Sequence, residues 1–167
     1  YDGTSTGTPV EAEVVVLNTA PSAATIEIDP SAPLTTDALE VTRTVDASDA
    51  DTDALIYAYR WENNGVEQTD LLGTVVPSAR TAKGETWRVV VTAHDGETDG
   101  PEAEASVTIG NTAPVLTGVT LGPTPAYTED TLTCTPGVSG DEDNDLVTYS
   151  YAWAVNAGPL AAVGSQL

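Results

Sequence analysis

Two short acidic runs hold the residue types and spacing in this chain that could do chemistry: Asp49-Ala50-Asp51-Thr52-Asp53 and Asp141-Glu142-Asp143-Asn144-Asp145. Three carboxylates at alternate positions converge their oxygens when a loop curls, and hard Ca²⁺ takes oxygen ligands of this kind. Neither run is an EF-hand loop. That loop needs Gly at its sixth position and Glu at its twelfth, where this chain has Ala54 and Arg60, or Leu146 and Ala152. Carboxylates packed together repel one another unless a cation compensates. The competing reading is a solvated acidic loop that only favours turn formation. Carboxylate count and spacing favour calcium at both loops.

Other reactive side chains are isolated. His94 is the only histidine and Cys134 the only cysteine. No nucleophile is paired with a base, so an enzyme is not expected. Cys134 cannot form an internal disulfide. It shares an alternating face with Leu132, as its counterpart Val41 does with Leu39, and reads as a small core hydrophobe. Lys83 is the only lysine and falls in a predicted turn, which leaves little room for a Lys–Asn isopeptide crosslink.

The two acidic runs are copies of one another within a larger repeat. Asn18-Thr19-Ala20-Pro21 recurs 93 residues later as Asn111-Thr112-Ala113-Pro114. Upstream, Asp2, Gly3, Gly7, Glu11 and Val14 fall on Asp95, Gly96, Gly100, Glu104 and Val107. Downstream, after a one-residue deletion, Tyr57, Tyr59 and Trp61 match Tyr149, Tyr151 and Trp153. The expected organisation is the C-terminal part of one repeat (1–17), a complete repeat (18–110) and the N-terminal part of a third (111–167). Such tandem arrays span distance or present surfaces. Residues 111–167 correspond to about 18–75, so the last repeat lacks its final two strands. A strand exchanged from another subunit's 1–17 would still leave one of them unsupplied, and the sequence reads as a window on a longer chain.

Composition limits the partners. The formal net charge is −21, with five Lys and Arg against 26 Asp and Glu. That excludes nucleic acid, which requires clustered cations, and equally an anionic membrane surface. No apolar run is long enough to span a bilayer. No signal peptide is evident, but a chain that opens in mid-repeat says nothing about secretion. The acid therefore means cation binding or solubility in a salty medium. Halophilic adaptation predicts acid spread over the strands' outer faces; those carry mostly Thr and Ser, while Asp crowds the loops. The Thr-rich tracts suit O-glycans as well as exposed strands, and no Asn-x-Ser/Thr sequon occurs.

The elements that must position the acidic loops are strands. Alternation of period two places Leu55, Tyr57, Tyr59 and Trp61 on one face, and Trp87, Val89, Val91 and Ala93 on another. Asn63-Asn64-Gly65 is a hairpin turn signal, and Pro77–Gly84 reads as a loop. Strands are predicted near 24–28, 38–45, 55–62, 66–68, 73–76, 86–94 and 102–109. Seven short strands with a tryptophan in the third describe an all-β chain of tandem immunoglobulin-like Greek-key sandwiches. In that topology the loop between the second and third strands and the loop after the sixth lie where the chain enters. Asn18, Asp49, Asp51, Asp53 and Asp95 should then cluster at one junction, and Asn111, Asp141, Asp143 and Asp145 at the next. Asp2 would serve the preceding repeat.

The order Asn-Thr-Ala-Pro, Asp-x-Asp-x-Asp, Tyr-x-Tyr-x-Trp, then Gly-Glu-Thr-Trp-Arg-Val-Val-Val-Thr-Ala-His-Asp-Gly resembles the PKD-like and cadherin-like Ig-type repeats of large bacterial and archaeal surface proteins. The resemblance implies an extracellular, multi-copy, often calcium-dependent spacer or adhesive repeat with no catalytic activity. Its usual Gly is replaced here by Thr52 and Asn144, and Asn tolerates positive φ better than Thr. The expected function is a structural segment of a calcium-stiffened extracellular fibre, stalk or adhesin. Its expected partners are neighbouring copies of the same repeat, in a self-assembling filament, and glycans. The alternative is an accessory polysaccharide-binding module of a secreted hydrolase. That role needs an exposed aromatic row, whereas Trp61, Trp87 and Trp153 fall on inward faces.

Overall fold

Alternating Val, Thr, Ile and Tyr set between Gly, Pro and Asn turns leave the backbone little choice but the pleated state, and the chain is all-β. The computed structural model describes residues 10–161 and 164–167, with Gly3 and Thr8; Asp2 lies outside the described residues. Among the described residues, seven strands precede residue 110: β1 (Thr25–Asp29), β2 (Leu39–Val45), β3 (Ile56–Asn63), β4 (Val66–Glu67), β5 (Val75–Val76), β6 (Thr86–His94) and β7 (Ala103–Thr108). They form two antiparallel sheets, ordered β1-β2-β5 and β4-β3-β6-β7. The predicted strand positions hold to within one or two residues. The Asn64-Gly65 turn takes the positive φ values (49° and 79°) that its residues permit. The predicted 77–84 loop contains one 3₁₀ turn, Ser78–Arg80.

The apolar faces of both sheets meet in one core. Trp61 and Trp87 are fully buried and cross edge to face, with ring centroids 6.4 Å apart. Ile28, Leu39, Val41, Val76, Val89, Val91 and Ile109 pack around them. Each indole N–H is satisfied, Trp61 by the Gly73 carbonyl at 2.9 Å and Trp87 by Glu85 at 3.0 Å. The outer face of the larger sheet is polar. There Arg88 bridges Glu62 and Glu104, and Arg60 pairs with Glu62.

The strands after residue 110 are shorter: β8 (Val115–Leu116), β9 (Val119–Gly122), β10 (Thr133–Pro136), β11 (Ser139–Gly140), β12 (Ala154–Val155) and β13 (Gly158–Pro159). They pair only in twos. Tyr149, Tyr151 and Trp153 repeat the apolar alternation of β3, yet no strand forms over 146–153. β3 is zipped to β6 along its whole length, whereas among the described residues no strand pairs with 146–153. An open apolar cavity of about 390 Å³ is lined by Leu121, Cys134, Tyr149 and Trp153 among others. Cys134 is therefore half-buried, where its counterpart Val41 is 4% exposed. Trp153 is also half-buried, although its indole N–H reaches the Gly164 carbonyl at 3.0 Å, as Trp61 reaches Gly73. At the other end, residues 10–17 were expected to include a strand. They form none, and Val10, Val14, Val15, Val16 and Leu17 are exposed.

Candidate metal centres

Each acidic run lies where the chain passes between strands, and each is curled by its own first carboxylate. Asp49 Oδ1 accepts the backbone N–H groups of Asp51 (2.8 Å) and Asp53 (3.3 Å). Asp141 Oδ1 accepts those of Asp143 (3.0 Å) and Asp145 (3.1 Å). The turn that closes this curl passes through left-handed backbone at Thr52 (φ 66°) and Asn144 (φ 58°). The start of the first loop is pinned from the sheet, because the Tyr57 hydroxyl accepts the Ala47 N–H at 3.0 Å. The result is convergence. In Asp49, Asp51 and Asp53, and again in Asp141, Asp143 and Asp145, one carboxylate oxygen of each residue lies within 4.8 Å of the others. Either triad could hold a metal ion.

Left-handed backbone is costly for a β-branched residue, by roughly 1–2 kcal/mol. Thr52→Gly is expected to raise stability by about 1 kcal/mol, the strain relieved less the added freedom of the unfolded chain. Urea unfolding measures this, and a lowered midpoint would contradict it.

The middle carboxylate of each triad ties the loop to its incoming linker. Asp51 Oδ2 accepts the Thr19 N–H at 2.7 Å, and Asp143 Oδ2 accepts the Thr112 N–H at 2.6 Å. Asn18 reaches the neighbouring loop, donating to Asp95 Oδ2 at 2.9 Å and to the Thr98 hydroxyl at 3.1 Å. Gly100 in that loop lies so near Pro21 that a Cβ there would sit 2.6 Å from the Pro21 carbonyl oxygen. Linker, acidic loop and the loop after β6 thus meet at one end of the sandwich.

Asp95 belongs to neither triad. It is buried, and its two oxygens accept the Glu97 and Thr98 N–H groups (2.8 and 2.7 Å), the Asn18 amide and the Thr98 hydroxyl. The Thr98 N–H, the Asn18 amide and the Glu97 N–H hold its carboxyl well below the usual carboxylate range. Asp95 fastens the linker to the sandwich.

The second triad also meets the preceding sandwich. The Thr35 hydroxyl donates to Asp143 Oδ1, and the Lys83 ammonium lies 2.5 Å from Asp145 Oδ2 and 3.1 Å from Asn111 Oδ1. The Thr35 hydroxyl, with the Thr112 N–H and Lys83 adding to it, lowers the Asp143 carboxyl. Folded values depressed in this way stabilise fully above the unfolded carboxyl pKa of about 3.9, and the contribution disappears as pH falls through the lowered folded value. Thr35 and Lys83 were not legible as site residues, since they lie 108 and 62 residues from their partners and carry no local pattern.

One atom at each site is left over. Asp49 Oδ2 and the Thr112 hydroxyl are shielded from solvent and have no hydrogen-bond partner. A buried carboxylate oxygen without a partner is expensive, and a cation in the triad would satisfy Asp49. His94 lies outside both sites, its Nδ1 3.0 Å from the Asp99 carboxylate. Compared with known proteins, the chain matches no protein-family model and has no significant match among curated proteins.

Proposed function

We propose that this chain is a structural segment of an extracellular fibre, stalk or adhesin built from tandem immunoglobulin-like repeats of the PKD or cadherin kind, with Ca²⁺ at each Asp triad stiffening the junction. One observation carries the reading. The same carboxylates that converge into a triad also hold the linker, and Asp143 is bonded at once to Thr112 of the linker and to Thr35 of the sandwich before it. A cation bound there joins three pieces of chain that would otherwise hinge. The division into a preceding repeat (1–17), a complete one (18–110) and a following one (111–167) belongs to this proposal, as does the extracellular setting. Oxygen-only triads on curled loops suit calcium better than softer metals. A short linker containing Pro114 leaves little slack, so successive repeats would hold a fixed angle and many copies would make a rod.

The accessory polysaccharide-binding alternative has less support. Trp61 and Trp87 are sealed in the core, and the broad outer face carries Arg–Glu pairs in place of an aromatic row.

Isothermal titration calorimetry tests the metal directly. Two calcium sites are expected per chain, with Kd on the order of 10⁻⁴ to 10⁻³ M, the range of extracellular modules. No calcium uptake at millimolar concentration would refute the reading.

A further inference from the structure

Lys83 is the chain's only lysine, and its position is built rather than incidental. The turn that carries it is fastened to the outgoing strand, with the Gly84 N–H donating to the Ile109 carbonyl at 2.9 Å. Gly110 follows at once and is itself held by the Pro33 carbonyl at 2.7 Å. The turn therefore projects one ammonium across the junction onto Asp145 Oδ2 (2.5 Å) and Asn111 Oδ1 (3.1 Å). The arginines are engaged elsewhere: Arg43, Arg60, Arg80 and Arg88 pair with Asp46, Glu62, Asp70 and Glu104 before residue 110. Among the described residues, no Lys, Arg or His pairs with Asp49, Asp51 or Asp53. The two triads are alike in their internal bonding; the second differs in the Lys83 ammonium beside it, in Glu142 where the first run has Ala50, and in the Thr35 hydroxyl on Asp143.

We propose that the Lys83 ammonium is a resident substitute for the divalent cation at the second triad, holding the Asp145–Asn111 corner when calcium is low and giving way when calcium binds. The proposal rests on the calcium reading above. A compact ammonium is a point charge with three donors, suited to standing where a metal would sit between oxygens. The pair is half open to water, with side-chain exposures of 38% and 46%. Exposed ion pairs contribute little, so a divalent ion displaces this one readily. Two consequences follow. The junction keeps part of its order without calcium, and the Lys83 charge raises the calcium needed to fill the second triad.

Calcium titration of the whole chain by amide NMR separates the sites, because the Thr19 N–H reports on Asp51 and the Thr112 N–H on Asp143. Lys83→Met removes the competing unit charge, which sits 2.5 Å from Asp145 Oδ2. It should lower the Thr112 midpoint about tenfold, allowing for salt screening, and leave the Thr19 midpoint in place. Lys83→Arg keeps the charge and should keep the Thr112 midpoint within about threefold of the parent, since only a unit charge moves it further. A Thr112 midpoint that is unchanged or raised in Lys83→Met overturns the substitution proposal while leaving the calcium reading intact. If neither amide responds up to about 10 mM, roughly tenfold above the weakest such modules, both readings fall together.

Discussion

Trp87→Ala is expected to destabilise the first sandwich by about 3–5 kcal/mol, the largest effect of any single substitution considered. Trp87 lies on β6, the strand shared by β3 and β7, and is fully buried against Trp61. Truncation leaves a cavity that the two sheets cannot collapse to fill, because strand pairing on both sides fixes β6 in place. It also removes one of the two N–H donors to Glu85 Oε2, which accepts from the indole at 3.0 Å and from Ala82 at 2.9 Å. Domains of this size are stable by only about 5–15 kcal/mol in total. The variant should therefore unfold at much lower urea, with the change read from the fluorescence of the two remaining tryptophans, Trp61 and Trp153. A loss under about 1 kcal/mol would mean that the two sheets do not share the core described here, because a filled core position costs several times more.

Much of this fold was legible in the alternation of side chains. The strands before residue 110 and the inward placement of Trp61 and Trp87 follow from period-two patterning, which works because one face of each sheet is buried. The same pattern misled at 146–153. Alternation states which face a strand would bury, but a strand also needs a hydrogen-bonded neighbour, and Tyr149, Tyr151 and Trp153 have none of the kind that β6 gives β3. The triads were legible for a related reason: Asx-type curling is local, so Asp49 and Asp141 bond to residues two and four positions ahead. Asp95, expected beside a cation, belongs to neither triad and holds Asn18 and its own loop. Its role depends on which N–H groups point at it, and that is set by the turn after β6. Thr35 and Lys83 reach the second triad through tertiary structure alone.

The other large effect concerns the junction. Asp143 accepts from the Thr112 linker N–H and from Thr35 of the preceding sandwich, and it contributes a carboxylate to the second triad. Asp143→Ala removes all three roles at once. One of the two proposed calcium sites should then disappear, with affinity there falling at least about a hundredfold, since a hard cation loses a charged oxygen ligand. The core of the 18–110 sandwich is not touched, so its unfolding midpoint should change little. Asp51→Ala is the matching change at the first triad, where the Thr19 N–H loses its acceptor. Calcium should therefore act on the relation between repeats far more than on their internal stability, and chelation should loosen junctions before it unfolds sandwiches.

Small-angle X-ray scattering of the 167-residue chain in about 5 mM calcium, well above the weakest expected Kd, and again after chelation, tests this most directly. Calcium should give a curve fitted by a single fixed inter-repeat angle. Chelation should broaden the distribution of angles, and Asp143→Ala in calcium should scatter like the chelated parent. A broad distribution that calcium does not narrow would make the array a tether, and the stiffened-fibre account would be wrong.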